Sequence, residues 1–517
     1  MSPSQTSKVF DRILEWIISD QQAFDVVLQP SFKAIFAALP GGYDPPRPAT
    51  FRAAATVQYI KLQEVVKKQL HDAPGAIALT CDGWSSSTHD HYLVITAHWV
   101  DAEWKMRRLI LDFAEFPLPR SAAAAKRLVD ETMAKFEVTD KVHAMVTDNT
   151  ASAYNISTLM RGSHASWFFE QRCASHVINL IIKHSLEDDA SEDEGSSDLA
   201  PMRTLVAALH RTDRLRTALK AECVRQNVAY HLPPLACDTR WGSTLNLLEG
   251  LIKVEMPLVF LFRHSSDFLD HAWGDAVWDK IKDFIDLLKP LNDLSKLIQG
   301  QDFPTIGTLS LGYDFISARL QTLATSAASS IWLKRKARTF AANALRYTDE
   351  WFSFGHQTHW AVLMDATVKD ALFRGPEGRA MLEQLKTTLV NHLRLYYPVQ
   401  APAAAPGPNN DFLAALQHHV GSSATMTATQ ELDQYLTESR GTPGKVSSLD
   451  YWRAAASRYH ILSRFARDIL AVPATVASSE AAFSRSGQLN TTRRNRLSAD
   501  SVKILMCLDS WHHQLQK

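Results

Sequence analysis

The chain has 517 residues, 46% of them hydrophobic, which suffices for a large buried core in about two to four domains and argues against a disordered protein. Its 55 Lys and Arg balance 55 Asp and Glu, so net charge points to no partner and any basic surface must be local. Five cysteines (Cys81, Cys173, Cys223, Cys237, Cys507) are odd in number, widely spaced and form no Cys-x-x-Cys pair, which excludes a disulfide framework and a self-contained zinc finger within this sequence and fits a reducing compartment. No apolar run approaches the length of a membrane span, and the polar start Met1-Ser-Pro-Ser-Gln lacks a signal-peptide pattern, so the expectation is a soluble intracellular protein.

Residues 8–40 carry a helical pattern, with Phe10, Ile13, Leu14, Ile17 and Ile18 on the helical period. Pro45, Pro46 and Pro48 interrupt it. A second helix is predicted from Thr50 to Leu70, with Tyr59, Leu62, Val66 and Leu70 on one face, and Pro74-Gly75 closes the region. The period then changes. Ala76 to Cys81 is an apolar strand that ends in Asp82, followed by a turn at Gly83. A strand tipped by an acid can offer a metal ligand or an acid–base group to a cleft, although Asp-Gly is equally an ordinary turn dipeptide. Tyr92 to Val100 and Met106 to Phe116 are two further strands with a short link, which suggests an antiparallel meander. Pro117 and Pro119 end it.

Ser121 to Phe136 is a helix with Ala125, Val129, Met133 and Phe136 as its buried stripe. Val142 to Thr147 is a fourth strand, and it too runs into an acid, Asp148. A strand, a crossover helix and a strand favour parallel pairing with the first strand. That pairing sets Asp82 and Asp148 side by side. Two such carboxylates repel unless a proton or a cation lies between them, so the pair is a general acid–base couple, a divalent-metal site, or two unrelated turn acids.

Phe168 to Arg172 is a fifth short strand. Cys173-Ala-Ser-His176 follows and opens a helix through Leu186. Cys-x-x-His is half of a zinc site, but no second half has suitable spacing, so the residues favour a small buried Cys beside a helix-start His. The acidic, Ser-rich tract 187–198 marks a solvated loop and a domain boundary. From Leu199 to Tyr397 the pattern is helical, without a convincing strand. Within it, Arg240-Trp241 suits either a cation–π pair in a core, which the spacing favours, or a stacking surface beside a phosphate-binding cation. Residues 400–410 are a Pro/Ala linker, and a short helix contains Leu432, Tyr435 and Leu436. Helices are predicted over 452–470, 475–485 and 499–512. In the middle one Glu480 shares a stripe with Val476 and Phe483, so it is either a third ligand of the same metal site or an acid at the stripe's edge reaching water. Arg493, Arg494 and Arg496 form a basic cluster that suits a solvated helix end or a phosphate contact. Walker, dinucleotide-binding and nucleophile-elbow motifs are absent, as are internal repeats.

Taken in order, Cys81-Asp82-Gly-Trp84-Ser, Thr147-Asp148-Asn149, Cys173-x-x-His176-x-x-Asn179-Leu180, Thr239-Arg240-Trp241, Asp450-Tyr-Trp452, Val472-Pro473 and Ser479-Glu480-x-x-Phe483-Ser484 resemble the motif series of the hAT superfamily of cut-and-paste DNA transposases. The resemblance runs from about residue 8 to the C-terminus. It implies an α+β or α/β fold: an RNase H-like mixed-sheet core interrupted by a large all-α insertion domain. The corresponding division is an N-terminal helical region (1–70), the first part of the core (71–190), the insertion (199–445), and the last catalytic helix with the dimerisation region (446–517). It implies that Asp82, Asp148 and Glu480 form a DDE triad binding two Mg²⁺ or Mn²⁺ ions for DNA cleavage and strand transfer. By the same resemblance Arg240 and Trp241 would support a DNA hairpin, and Cys173 and His176 would lie near the scissile phosphate. The Arg493, Arg494 and Arg496 cluster would meet DNA. The implied protein is nuclear, bound to no membrane, and oligomeric through its C-terminal region. Family members usually carry an N-terminal BED-type zinc finger, which has no counterpart in this sequence. That leaves room for a domesticated, inactive DNA-binding and dimerising protein. A plain nuclease on RNA hybrids would need neither the Arg-Trp insertion nor the dimerisation segment.

Overall fold

The computed structural model describes residues 2–38, 41–85, 90–116, 118–148, 156, 158–162, 167–187, 198–237, 241–352, 357–398, 426–441, 447–480, 482 and 497–515. The chain divides into two compact units. The first comprises Met1–Cys173, Gln299–Thr308 and Phe354–Lys517, and the second Ala174–Ile298 and Leu309–Ser353.

The first unit opens with three helices, α1 (Pro3–Ser19), α2 (Pro30–Ala37) and α3 (Pro48–Asp72). Ser2 and Gln5 cap α1 reciprocally, and Pro3 suits its first turn. The helical pattern over 8–40 therefore resolves into α1, a 3₁₀ turn at Phe24–Leu28, and α2. Gln21, at φ 51°, leaves the right-handed helix, and Pro30 restarts it. α3 buries Phe51, Ala55, Tyr59, Val66 and Leu70, with Leu62 partly buried beside them. The Lys141 ammonium donates to the carbonyls of Leu70, His71 and Ala73 at 2.8, 2.8 and 2.7 Å, and so satisfies the C-terminal end of α3.

Next come β1 (Ile77–Ser85), β2 (His91–Val100), β3 (Met106–Glu115), α4 (Ala122–Phe136), β4 (Val142–Thr147) and β5 (Phe169–Arg172). The strands form one mixed sheet in the order β3-β2-β1-β4-β5. β1, β2 and β3 pair antiparallel, while β4 runs parallel to both β1 and β5. The predicted stripe of α4 (Ala125, Val129, Met133, Phe136) is buried in full. One expectation is corrected. The chain does not turn at Gly83: β1 continues to Ser85, which pairs with His91. Trp84 packs beside Tyr92 and edge-on to Phe113, at ring separations of 6.0 and 6.4 Å, so side-chain burial carries the ladder past the Asp-Gly dipeptide.

From Ala174 the chain enters the second unit, whose described elements are all helices: α5 (Ala174–Glu187), α6 (Ala200–Arg211), α7 (Asp213–Arg225), α8 (Trp241–Lys253), α9 (Glu255–His264), α10 (Asp275–Ile298), α11 (Ile306–Thr325) and α12 (Ile331–Phe352), with one 3₁₀ turn at Ser266–His271. α5 buries Val177, Ile178, Ile181, Ile182 and Ser185, and Asn343 of α12 donates to the Ser185 hydroxyl at 3.2 Å.

The first unit is completed by α13 (Gln357–Met364), α14 (Gly375–Tyr396), α15 (Ala428–Thr437), α16 (Ser448–Ala455), α17 (His460–Leu470) and α18 (Ala499–Leu515). The compact units divide the chain differently from the sequence: α5 groups with the helical unit, and α13 to α15 group with the sheet. Hydrogen bonds account for the second grouping. Tyr435 and Trp452 donate to the carbonyls of Leu363 and Met364 at 2.9 and 2.7 Å. Asp468 of α17 accepts from the Ala76 N–H just before β1 at 2.7 Å and from the Tyr397 hydroxyl at 2.7 Å. The helix predicted over 452–470 is in fact two, because the buried Glu431 carboxylate accepts from the N–H groups of Ile461 and Leu462 at 3.0 and 2.8 Å and so creates a new helix start. α18 covers the edge strand: the Ile110 N–H donates to the Ser510 hydroxyl at 2.9 Å, and the Trp511 indole donates to the Ile110 carbonyl at 2.7 Å. An otherwise open sheet edge is thereby satisfied within the chain.

Candidate metal and nucleic-acid site

The parallel register of β1 and β4 pairs Thr80 with Val146 and Cys81 with Thr147. Asp82 is the next residue of β1, and Asp148 is the first residue after β4. Adjacent strands stand about 4.8 Å apart and side chains alternate faces, so continuing that register by one residue brings both acids to one face of the sheet, the face of Thr80. Asp82 is 6% exposed and also accepts from the Gly83 N–H at 2.9 Å; Asp148 is half-buried. Cys81 reports on both acids. Burial pushes its thiol pKa well up, and the negative charges of Asp82 and Asp148 push it further.

Glu480 lies on the segment that packs against this face. Its N–H bonds the Val476 carbonyl at 3.1 Å, and its side chain is half-buried. A polar network fastens the segment to the sheet. The Thr80 hydroxyl meets that of Ser479 at 3.0 Å and that of Thr96 at 2.5 Å. The Ser478 hydroxyl meets Thr96 at 3.1 Å and His98 Nε2 at 3.2 Å, while Thr96 also bonds His98 Nε2 at 2.8 Å. Burial, with a smaller push from the Arg108 charge, lowers the His98 pKa to about 3, so the ring is neutral near pH 7. Sequence reasoning missed this network. Its members are scattered hydroxyls and one His, and the trace they leave is the polar pair Thr96 and His98 on one face of a buried strand.

Cys173 joins the same place from β5. Its N–H donates to the Thr147 carbonyl at 2.8 Å, and its sulfur accepts from the Val476 N–H at 3.5 Å. A buried Cys therefore ties the end of β4, which leads to Asp148, to the segment that carries Glu480. His176 stands in the first turn of α5, which belongs to the second unit, and its Nδ1 is buried without a hydrogen-bond partner. Trp241 opens α8, but its side chain lies outside the described residues, as do Arg240, Phe483, Arg493, Arg494 and Arg496.

The donor set suits a hard divalent cation. Carboxylate oxygens match Mg²⁺ or Mn²⁺, and Mg²⁺ usually takes one or two carboxylates, with water and substrate oxygens completing its shell. The Asp82–Asp148 pair fits that demand. Among the described residues no three His, Cys, Asp or Glu side chains gather as the ligand set of one ion, so the structure brings two acids together and does not close Glu480 onto them.

A mixed sheet with one acid within its central strand and another just past the end of the parallel neighbour, helices packed around it and a large helical companion unit define an α+β protein with an RNase-like core. Comparison with known proteins names that core. Residues 80–165 match the ZBED1 RNase-like domain, and residues 431–512 match the hAT family C-terminal dimerisation region. Over most of its length the chain is similar to "Putative AC transposase" of Zea mays, at 22% identity over 527 residues, covering 96% of this chain and 64% of that protein. It is also similar to "Zinc finger BED domain-containing protein RICESLEEPER 2" of Oryza sativa subsp. japonica, at 23% identity over 96% of this chain and 73% of that protein, and to "Zinc finger BED domain-containing protein 4" of Homo sapiens, at 23% identity over 97% and 43%. Over most of its length the chain is thus similar to hAT transposases and BED-domain zinc-finger proteins, and it contains matches to an RNase-like domain and to an hAT dimerisation region. It spans 64% of the length of each of two maize transposase relatives. No described helix is long and apolar enough to cross a membrane.

Proposed function

We propose that the chain is an hAT-type DNA transposase or a derivative of one, which cleaves and transfers DNA strands with a divalent metal. The observation that carries this reading is the β1–β4 register, in which Cys81 and Thr147 pair directly before Asp82 and Asp148. Asp82, Asp148 and Glu480 are the residues that would hold Mg²⁺ or Mn²⁺. Ions held there would supply Lewis-acid chemistry, the activation of a water or a 3′-hydroxyl and the stabilisation of the leaving oxygen in an in-line attack on phosphate. The chain's own contribution is positioning. Cys173 and the Thr80–Ser479 contact hold the acid-bearing segments in register, and the neutral His98 adds no competing charge. Arg240, Trp241, His176 and the Arg493, Arg494 and Arg496 cluster are the proposed DNA contacts. Transposon ends and flanking DNA are the proposed substrate, and the nucleus the proposed compartment. The dimerisation-region match supports a homo-oligomer.

The test is strand cleavage of DNA carrying the inverted terminal repeats of the chain's own genomic locus, in Mg²⁺ or Mn²⁺. Wild type should cut and Asp148→Ala should lose about a hundredfold or more, as expected when a metal ligand is removed. Equal inertness of the two defeats the enzyme reading. The second reading is a catalytically inactive nuclear DNA-binding and dimerising derivative. The absence of a closed three-acid ligand set among the described residues favours it, as do the relatives named as BED-domain proteins rather than transposases.

A further inference from the structure

The sheet face that carries Asp82 also carries a chain of buried hydroxyls that ends on a histidine. Thr80 precedes Asp82 by two residues on β1 and so shares its face. Thr96 pairs with Thr80 across the β1–β2 ladder, and His98 follows Thr96 by two residues on β2. The β2–β3 register shifts between Ile95 and Thr96, and irregularities of this kind re-aim side chains beside functional sites. Thr80, Thr96, His98 and Ser479 are each at most 4% exposed. Apolar residues would fill these positions at lower cost, whereas a satisfied buried polar network fixes one arrangement of the parts it joins. The parts joined here are two strands and the residues directly before Glu480.

Counting protons gives His98 its place in the network. The hydroxyls of Thr80, Thr96, Ser478 and Ser479, together with His98 Nε2, make six mutual contacts of 2.5–3.4 Å. Four hydroxyls donate four hydrogen bonds at most. As an acceptor, Nε2 has a single lone pair for two neighbours, Thr96 at 2.8 Å and Ser478 at 3.2 Å. As a donor it supplies a fifth proton that both oxygens can share. The tautomer protonated at Nε2 therefore serves the most contacts, and burial keeps the ring neutral.

We propose that His98 is a positioning residue: its Nε2–H locks Ser478 onto Thr96 and so holds the segment bearing Glu480 against the sheet face where Asp82 and Asp148 would take a divalent cation. This role rests on the metal reading of those three acids. His98 acts through Ser478 and Thr96, not by contact with the ion. Loss of the ring donor frees the segment while leaving the register of β1 and β4, and with it the Asp82–Asp148 placement, intact.

Mn²⁺ binding to the full chain, followed by electron paramagnetic resonance, separates the two claims. Glutamine can place an amide N–H where Nε2 stands, whereas asparagine reaches only as far as Nδ1. His98→Asn should weaken Mn²⁺ binding about tenfold, and His98→Gln should bring it back to within about threefold of wild type. Ser478→Ala should weaken binding as His98→Asn does, and it keeps the test open if His98→Asn fails to fold. The Glu480 amide bonds the Val476 carbonyl at 3.1 Å. Its hydrogen exchange, measured without metal, should quicken about tenfold in both weakened variants. Where wild type binds Mn²⁺ and Asp148→Asn binds it poorly, His98→Asn binding as tightly as wild type overturns the positioning role. So does His98→Gln binding as weakly as His98→Asn, which would show that the ring serves packing alone. A wild type that binds no Mn²⁺, or an Asp148→Asn variant that binds as tightly as wild type, defeats the metal reading and the positioning role with it.

Discussion

His392 shows what burial does to a single titratable side chain in this fold. Trp167, Trp360, Tyr396, Tyr397 and Phe465 surround its ring, and its Nε2 is buried without a hydrogen-bond partner. Burial, aided by the nearby His143, lowers its pKa to about 4. The folded value is below the unfolded one of about 6.5, so on acidification the unfolded chain takes up the proton first. The stability tied to this neutral ring is complete above about pH 6.5 and is lost as pH falls towards about 4, amounting to about 2 kcal/mol by pH 5. His98 is shifted in the same direction, to about 3. His392→Phe removes the unpartnered nitrogen from an already aromatic cage. It should cost less than about 1.5 kcal/mol at pH 7 and should narrow the gap between the melting temperatures at pH 7 and pH 5. An unchanged gap would mean that His392 does not titrate with unfolding.

Among the elements, α17 depends on one distant acid. Glu431 is fully buried and supplies the acceptor for the first amides of α17. Burial raises its pKa, and the helix amides oppose that rise. Glu431→Ala leaves buried donors unsatisfied and should cost about 2–3 kcal/mol in urea unfolding, whereas Glu431→Gln, which keeps an acceptor, should cost about half as much. Equal losses would show that the site serves packing alone. α17 also shows where sequence reading stops. The strands and α4 were legible because a period of two and a clean Ala125-Val129-Met133-Phe136 stripe are local signals. The break between α16 and α17 was not, because its cause sits some thirty residues upstream. The course of β1 through Gly83 was hidden for a similar reason: its cause is the packing of Trp84 on Tyr92 and Phe113.

For the whole molecule, the parallel pairing of β1 with β4, whose register runs to Cys81 and Thr147 directly before Asp82 and Asp148, was legible because a strand, helix and strand leave few topologies open. The grouping of α13 to α15 with the sheet was not, since it rests on Asp468, Tyr435 and Trp452 reaching across long sequence gaps. The proposed metal role rests on two acids, far apart in sequence, that directly follow paired residues of two adjacent strands in one sheet. Mn²⁺ binding followed by electron paramagnetic resonance tests that claim without needing a DNA substrate. Wild type should bind Mn²⁺, and binding should raise its melting temperature with ion concentration. Asp82→Asn and Asp148→Asn should each weaken binding at least about tenfold without lowering the metal-free melting temperature. Binding by Asp148→Asn as tight as by wild type would contradict the account.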